Sequence, residues 1–114
     1  MNKLSLLTAK AVLLTSSLAC FGGETLTGHL MPSKCRNDDP KTHTRDCALQ
    51  CRATGFGVLT ENGDYISFDA AGNTKATELL EKSTSRTTDL RVSVQGARKG
   101  STLAVESIRW QESK

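Results

Sequence analysis

Residues 25–31 alternate apolar and polar positions with Leu26 and Leu30 on one face, the two-residue period of a half-buried strand. Gly28 inside that run marks a bend or a close backbone approach, and Pro32, which lacks the N–H a ladder needs, interrupts the pairing. Two further apolar runs, 55–60 and 64–69, flank Glu61-Asn62-Gly63. Asn-Gly between such runs is a strong hairpin signal, because both residues tolerate positive φ. Residues 70–73 read as a turn, followed by a helix capped by Asn73 or Thr74 and running to about Lys82, with Ala76, Leu79 and Leu80 at i, i+3, i+4. After the polar loop 83–89, Leu90, Val92 and Val94 alternate as a fourth strand, residues 96–100 turn, and 102–110 forms the fifth. The apolar positions of that last strand change phase between Val105 and Ile108, which predicts a bulge near Glu106 and Ser107.

The fold class is therefore mainly β with one to two short helices. Its order is strand, cysteine loop, strand, strand, helix, strand, strand, that of the OB-fold, a five-stranded, partly open Greek-key barrel. An antiparallel sheet covered by one helix is the competing layout. In the barrel reading the connection 32–54 is the loop between the first two strands, one of the two that this fold commonly uses for ligands.

That loop holds three of the four cysteines and one of the two histidines. A helix over 44–53, capped by a threonine and stopped by Gly55, sets His43, Cys47 and Cys51 at i, i+4, i+8 near one face. Neighbours at that spacing start ~6 Å apart at Cβ, which suits two ligands of one metal better than a disulfide, whose Cβ atoms want about 3.8 Å. With Cys35 as the fourth corner, three thiolates and an imidazole make a soft tetrahedral set for zinc or copper(I). The other reading is a disulfide from Cys35 to Cys47 or Cys51, with no metal and with His43 a solvated loop residue. His29 falls opposite the Leu26 and Leu30 face and is expected at the surface. Phe56, Tyr65 and Phe68 are expected in the core, and Trp110 over one end of the barrel.

Composition narrows the classes. Residues 1–20 carry Lys3 and Lys10, no acid, and a short apolar run ending in small residues, the layout of a signal peptide; 21–114 is then a single domain. Leu18-Ala19-Cys20 also matches a lipoprotein cleavage site, with lipidation at Cys20 the one route to the membrane, although Ser17 stands where leucine is usual. The expected location is periplasmic, secreted or lipid-anchored in the cell envelope, where disulfides persist. Two of the fifteen basic residues lie in 1–20 and all twelve acids lie beyond it, leaving +1, too little charge for a nucleic-acid surface. There is no Gly-rich phosphate loop, nucleophile elbow, zinc-protease helix or two-residue-spaced cysteine pair, so the expectation is a binding module and not an enzyme, with a cell-envelope partner or ligand; thiol redox chemistry at the cysteines is the remaining alternative.

Leu26-Thr27-Gly28-His29-Leu30, then Cys35, Asp46-Cys47-Ala48-Leu49-Gln50-Cys51, Gly55-Phe56-Gly57-Val58-Leu59 and Ser67-Phe68-Asp69-Ala70-Ala71-Gly72-Asn73 resemble a family of small exported bacterial domains of unknown function. The likeness spans residues 26–108 and implies a Gly-containing first strand, a cysteine cluster with a histidine and a compact β-barrel-like body. Members commonly carry Asp-Ser before the first cysteine, where this chain has Pro32-Ser33-Lys34, so no carboxylate is implied at the site.

Overall fold

In the computed structural model, which describes residues 23–111, five strands close into a barrel in the order β1-β2-β3-β5-β4. The signal-peptide and Cys20 expectations lie outside the described residues. Strand β1 spans Glu24–Pro32, β2 Phe56–Thr60, β3 Tyr65–Phe68, β4 Arg91–Lys99 and β5 Thr102–Trp110; helix α1 is Arg45–Gln50 and α2 Ala70–Lys82. All pairings are antiparallel except β3 with β5, whose parallel contact closes the ring and completes the OB-like topology expected from the element order. No described helix is long and apolar enough to cross a membrane.

Strand β1 makes closure possible. Its first half pairs with β4 and its second half with β2, and Gly28 sits where the two ladders overlap, opposite Thr60 and Val92. A Cβ there would stand 2.2 Å from the Leu59 carbonyl oxygen, so the close approach expected of Gly28 is real and requires glycine. The expected bulge is also present: Gln95 faces Ser107 while Gly96 faces Val105, leaving Glu106 as the extra residue. Residues 96–99, however, continue β4 instead of turning, because Gly96 packs against the Ala104 carbonyl of β5; only Gly100 and Ser101 turn.

The core gathers Leu30, Val58, Ile66, Val92, Val94, Leu103 and Val105 from the strands with Phe56 and Phe68, sealed by Ala76 and Leu80 of α2 and Ala48 of α1. Helix α2 starts earlier than its sequence suggests, since Asp69 caps it by accepting from the Gly72 amide at 2.9 Å. Asn73 is spent elsewhere, its Oδ1 accepting from the buried Phe56 amide at 2.8 Å and tying α2 to β2. Trp110 packs on the margin of the core, donates to Ser83 Oγ at 2.6 Å and lies under the Arg86 guanidinium. Tyr65 is not a core residue: it is half-buried, bonds the Met31 carbonyl at 3.1 Å and stacks against Arg36 at the start of the cysteine loop. The hairpin turn uses positive φ only at Gly63.

Candidate metal centre

The cysteine loop runs from Ser33 to Gly55, between β1 and β2 as expected. Its neck is tied by strand pairing of Pro32 with Phe56 and by the Ser33 amide donating to the Gly55 carbonyl at 2.9 Å. A short 3-10 turn, Ser33–Cys35, delivers the Cys35 side chain inward to a buried position. The chain then doubles back. The Asp38 amide donates to the Cys35 carbonyl, the Lys41 amide to Asp39 Oδ1 and the His43 amide to the Asp39 carbonyl, so that His43 returns to the sulfur it left eight residues earlier.

The far side of the loop is fixed to α2. Arg45 Nε donates to the Leu80 carbonyl at 2.7 Å, one of the carbonyls that a helix end leaves without an internal partner. The Arg45 amide donates to Thr87, Thr44 bridges Thr88, and Ala48 is fully buried in the core. Helix α1 is shorter than the 44–53 expected: Thr44 is extended and caps it, Cys51 closes it, and a separate 3-10 turn, Arg52–Thr54, leads to Gly55 at φ +87. The uniform helical face assigned to His43, Cys47 and Cys51 therefore does not exist. His43 precedes the cap and Cys51 sits on the end; only Cys47 lies inside the helix.

Three of the four expected ligands nonetheless converge. One ligand atom each from Cys35, His43 and Cys47 all lie within 4.8 Å of one another. Cys51 falls outside that group but its sulfur stands 3.8 Å from that of Cys35. Two sulfurs held by one tetrahedral zinc at ~2.3 Å stand roughly 3.8 Å apart, so this pair already has the edge length of such a site. All three described cysteines are free thiols.

His43 is not the solvated residue of the disulfide reading. It is 6% exposed, and neither ring nitrogen has a hydrogen-bond partner among the described residues. A sealed imidazole with two unmatched nitrogens costs free energy that a cation on one of them recovers. Burial lowers its pKa, with Asp38 partly opposing, and so favours the neutral form that binds metals. The Cys35 thiol is pushed up to about 12, first by burial, then by its hydrogen bond with Cys51 and by the negative charge of Cys51, Cys47 and Asp38. Crowding and burial thus keep Cys35 a protonated thiol. Asp38, Asp39, Thr42 and Thr44 line an open cleft together with His43 and Cys47.

A second titratable cluster escaped the sequence reading. His29 is buried, 8% exposed, and lines one pocket with Pro40 and Lys41 of the cysteine loop. Its Nε2 lies 2.6 Å from Asp89 Oδ1, and Arg91 braces Asp89 at 3.3 Å and Glu61 at 3.7 Å. Asp89 is the one described non-glycine residue with positive φ, at 53°. The partners lie sixty residues apart, and only the register that sets His29 beside Arg91 brings them together.

Compared with protein-family models, curated proteins and solved structures, the chain matches none.

Proposed function

We propose that the chain is a soft-metal binding module in which Cys35, His43 and Cys47 hold the ion and Cys51 closes the fourth corner. The observation that carries this reading is the buried His43 ring, unmatched at both nitrogens and grouped with two sulfurs inside 4.8 Å. Three sulfurs and one nitrogen suit zinc in a closed tetrahedral site, and the softness of the set also suits copper(I). The role that fits is binding: the buried Cys35 thiol, pushed up to about 12, becomes a ligand once a cation displaces its proton. Placement on the loop between β1 and β2 of an OB-like barrel supports the same reading, with the barrel as a rigid frame.

Metal analysis and thiol titration of the purified, reduced protein test it. The expected result is one bound zinc or copper per chain, with Cys35, Cys47 and Cys51 protected from alkylation until the metal is chelated. Protein without metal that already carries two oxidised loop cysteines would overturn the reading.

A further inference from the structure

We propose that the same loop is a thiol–disulfide switch, in which oxidation joins Cys35 to Cys51 and releases the metal. The inference rests on the metal reading above and adds its control. Cys35 is the shared member of two arrangements: it belongs to the group with His43 and Cys47, and its sulfur is 3.8 Å from Cys51. It cannot serve both once a covalent bond forms. The oxidised loop would retain only His43 and Cys47 of the central three ligands.

Helical spacing argues against one alternative, Cys47–Cys51, and the 3.8 Å sulfur separation favours Cys51 over Cys47 as the partner of Cys35, whose ligand atom and that of Cys47 are held only within 4.8 Å. Cys47 and Cys51 are separated by one helical turn, where Cβ atoms stand about 5–6 Å apart, too far for a relaxed disulfide. Cys35 and Cys51 come from different elements, the 3-10 turn after β1 and the end of α1, and no helical spacing holds their sulfurs apart. Cys51 is half-buried whereas Cys35 is buried, so Cys51 is the sulfur that a solute reaches first. The loop need not unfold on oxidation, since its neck bonds and the Arg45 contacts with α2 involve no cysteine side chain.

The oxidant is a small-molecule disulfide. The Cys51 thiolate attacks one of its sulfurs, breaking the S–S bond and expelling a thiolate. The Cys35 thiolate then attacks the Cys51 sulfur of the mixed disulfide and expels the second. In the metal-free form two cysteine thiols lose two electrons and two protons and one disulfide becomes two thiols; in the metal-bound form the cysteines are already thiolates, the two expelled thiolates take their protons from water, and the metal leaves as the free ion. A dithiol reverses the step.

The test oxidises the full-length, metal-free protein with glutathione disulfide, maps the bond by alkylation and peptide mass spectrometry, and measures zinc uptake against a chromophoric chelator. The expected map links Cys35 to Cys51 with Cys47 alkylated. Zinc affinity is expected to fall by roughly tenfold or more, as loss of a direct ligand exceeds that of a supporting contact, and to return on reduction. Cys51→Ala protein, given the same oxidant, is expected to keep whatever zinc affinity it has when reduced. A dominant Cys35–Cys47 or Cys47–Cys51 bond, or undiminished zinc affinity in the Cys35–Cys51 form, overturns the switch alone. Reduced wild-type protein that takes up no zinc overturns the metal reading and the switch with it.

Discussion

Thr44 Oγ1 accepts a hydrogen bond from the Cys47 amide at 3.0 Å, which ends the extended stretch after His43 and starts α1 at the residue where Cys47 can face back toward it. The cap thus also sets Cys47 against His43, the other proposed ligand. Thr44→Ala should cost about 1 kcal/mol of stability, read by urea denaturation. It should also weaken zinc affinity about tenfold, as removal of a supporting contact around a metal does, while Thr44→Ser keeps both. Unchanged affinity in the alanine variant would show that the cap serves the helix alone.

Asp89 holds a backbone conformation that most side chains resist and accepts from the buried His29 ring. Its carboxyl is held below the usual range chiefly by that hydrogen bond, with Arg91 helping and burial opposing. A depressed carboxyl contributes stability that is present above its unfolded value near 3.9 and is lost as the pH falls through the lower folded value. Asp89→Asn should therefore flatten the acid side of the stability profile below about pH 4. Asp89→Ala should lose about 1 kcal/mol more than the asparagine variant at neutral pH, because asparagine tolerates positive φ and alanine does not. Thermal unfolding across pH 2.5–7 checks both (a window set roughly by the carboxylate range); matching acid limbs in wild type and asparagine variant would remove the role given to Asp89.

Gly28→Ala places a methyl group 2.2 Å from the Leu59 carbonyl oxygen, a backbone atom that cannot rotate aside. The expected cost is about 2 kcal/mol or more, since overpacking here pries β1 from β2. Gly63→Ala is the control: it has open space around its Cβ, so its loss reflects only its φ of +91°. Equal losses in urea denaturation would contradict the close-approach role of Gly28.

The strands were legible because one face of each meets the core, and that leaves a period of two in the sequence. Ile66 and Phe68, or Leu90, Val92 and Val94, are buried as the alternation required. The second half of β1 broke the rule. His29 and Met31 face away from Leu30 yet are buried; at His29, Pro40 and Lys41 of the cysteine loop line the same pocket, and a periodicity of single strands carries no record of a loop that comes later. The early start of α2 was hidden by Gly72, whose lack of a side chain signals a turn in sequence but in the fold admits Val105 and Phe68 against the helix. At the candidate site, the clustered residue types and their loop were legible and the route was not. His43 reaches Cys47 through a capped bend instead of a continuous helix, and the pairing of Cys35 with Cys51 depends on where the neck of the loop closes.

Cobalt(II) titration of the reduced protein tests the metal centre most directly, because cobalt reports ligand type and geometry through its absorption spectrum and takes the same tetrahedral sulfur and nitrogen sites as zinc. Thiolate-to-cobalt charge-transfer bands and intense tetrahedral d–d bands are expected, saturating at one cobalt per chain. Zinc should displace them, and His43→Ala and Cys35→Ala should each lose them. A spectrum with only weak octahedral bands, or one that is unchanged in His43→Ala, would contradict a site built on Cys35, His43 and Cys47.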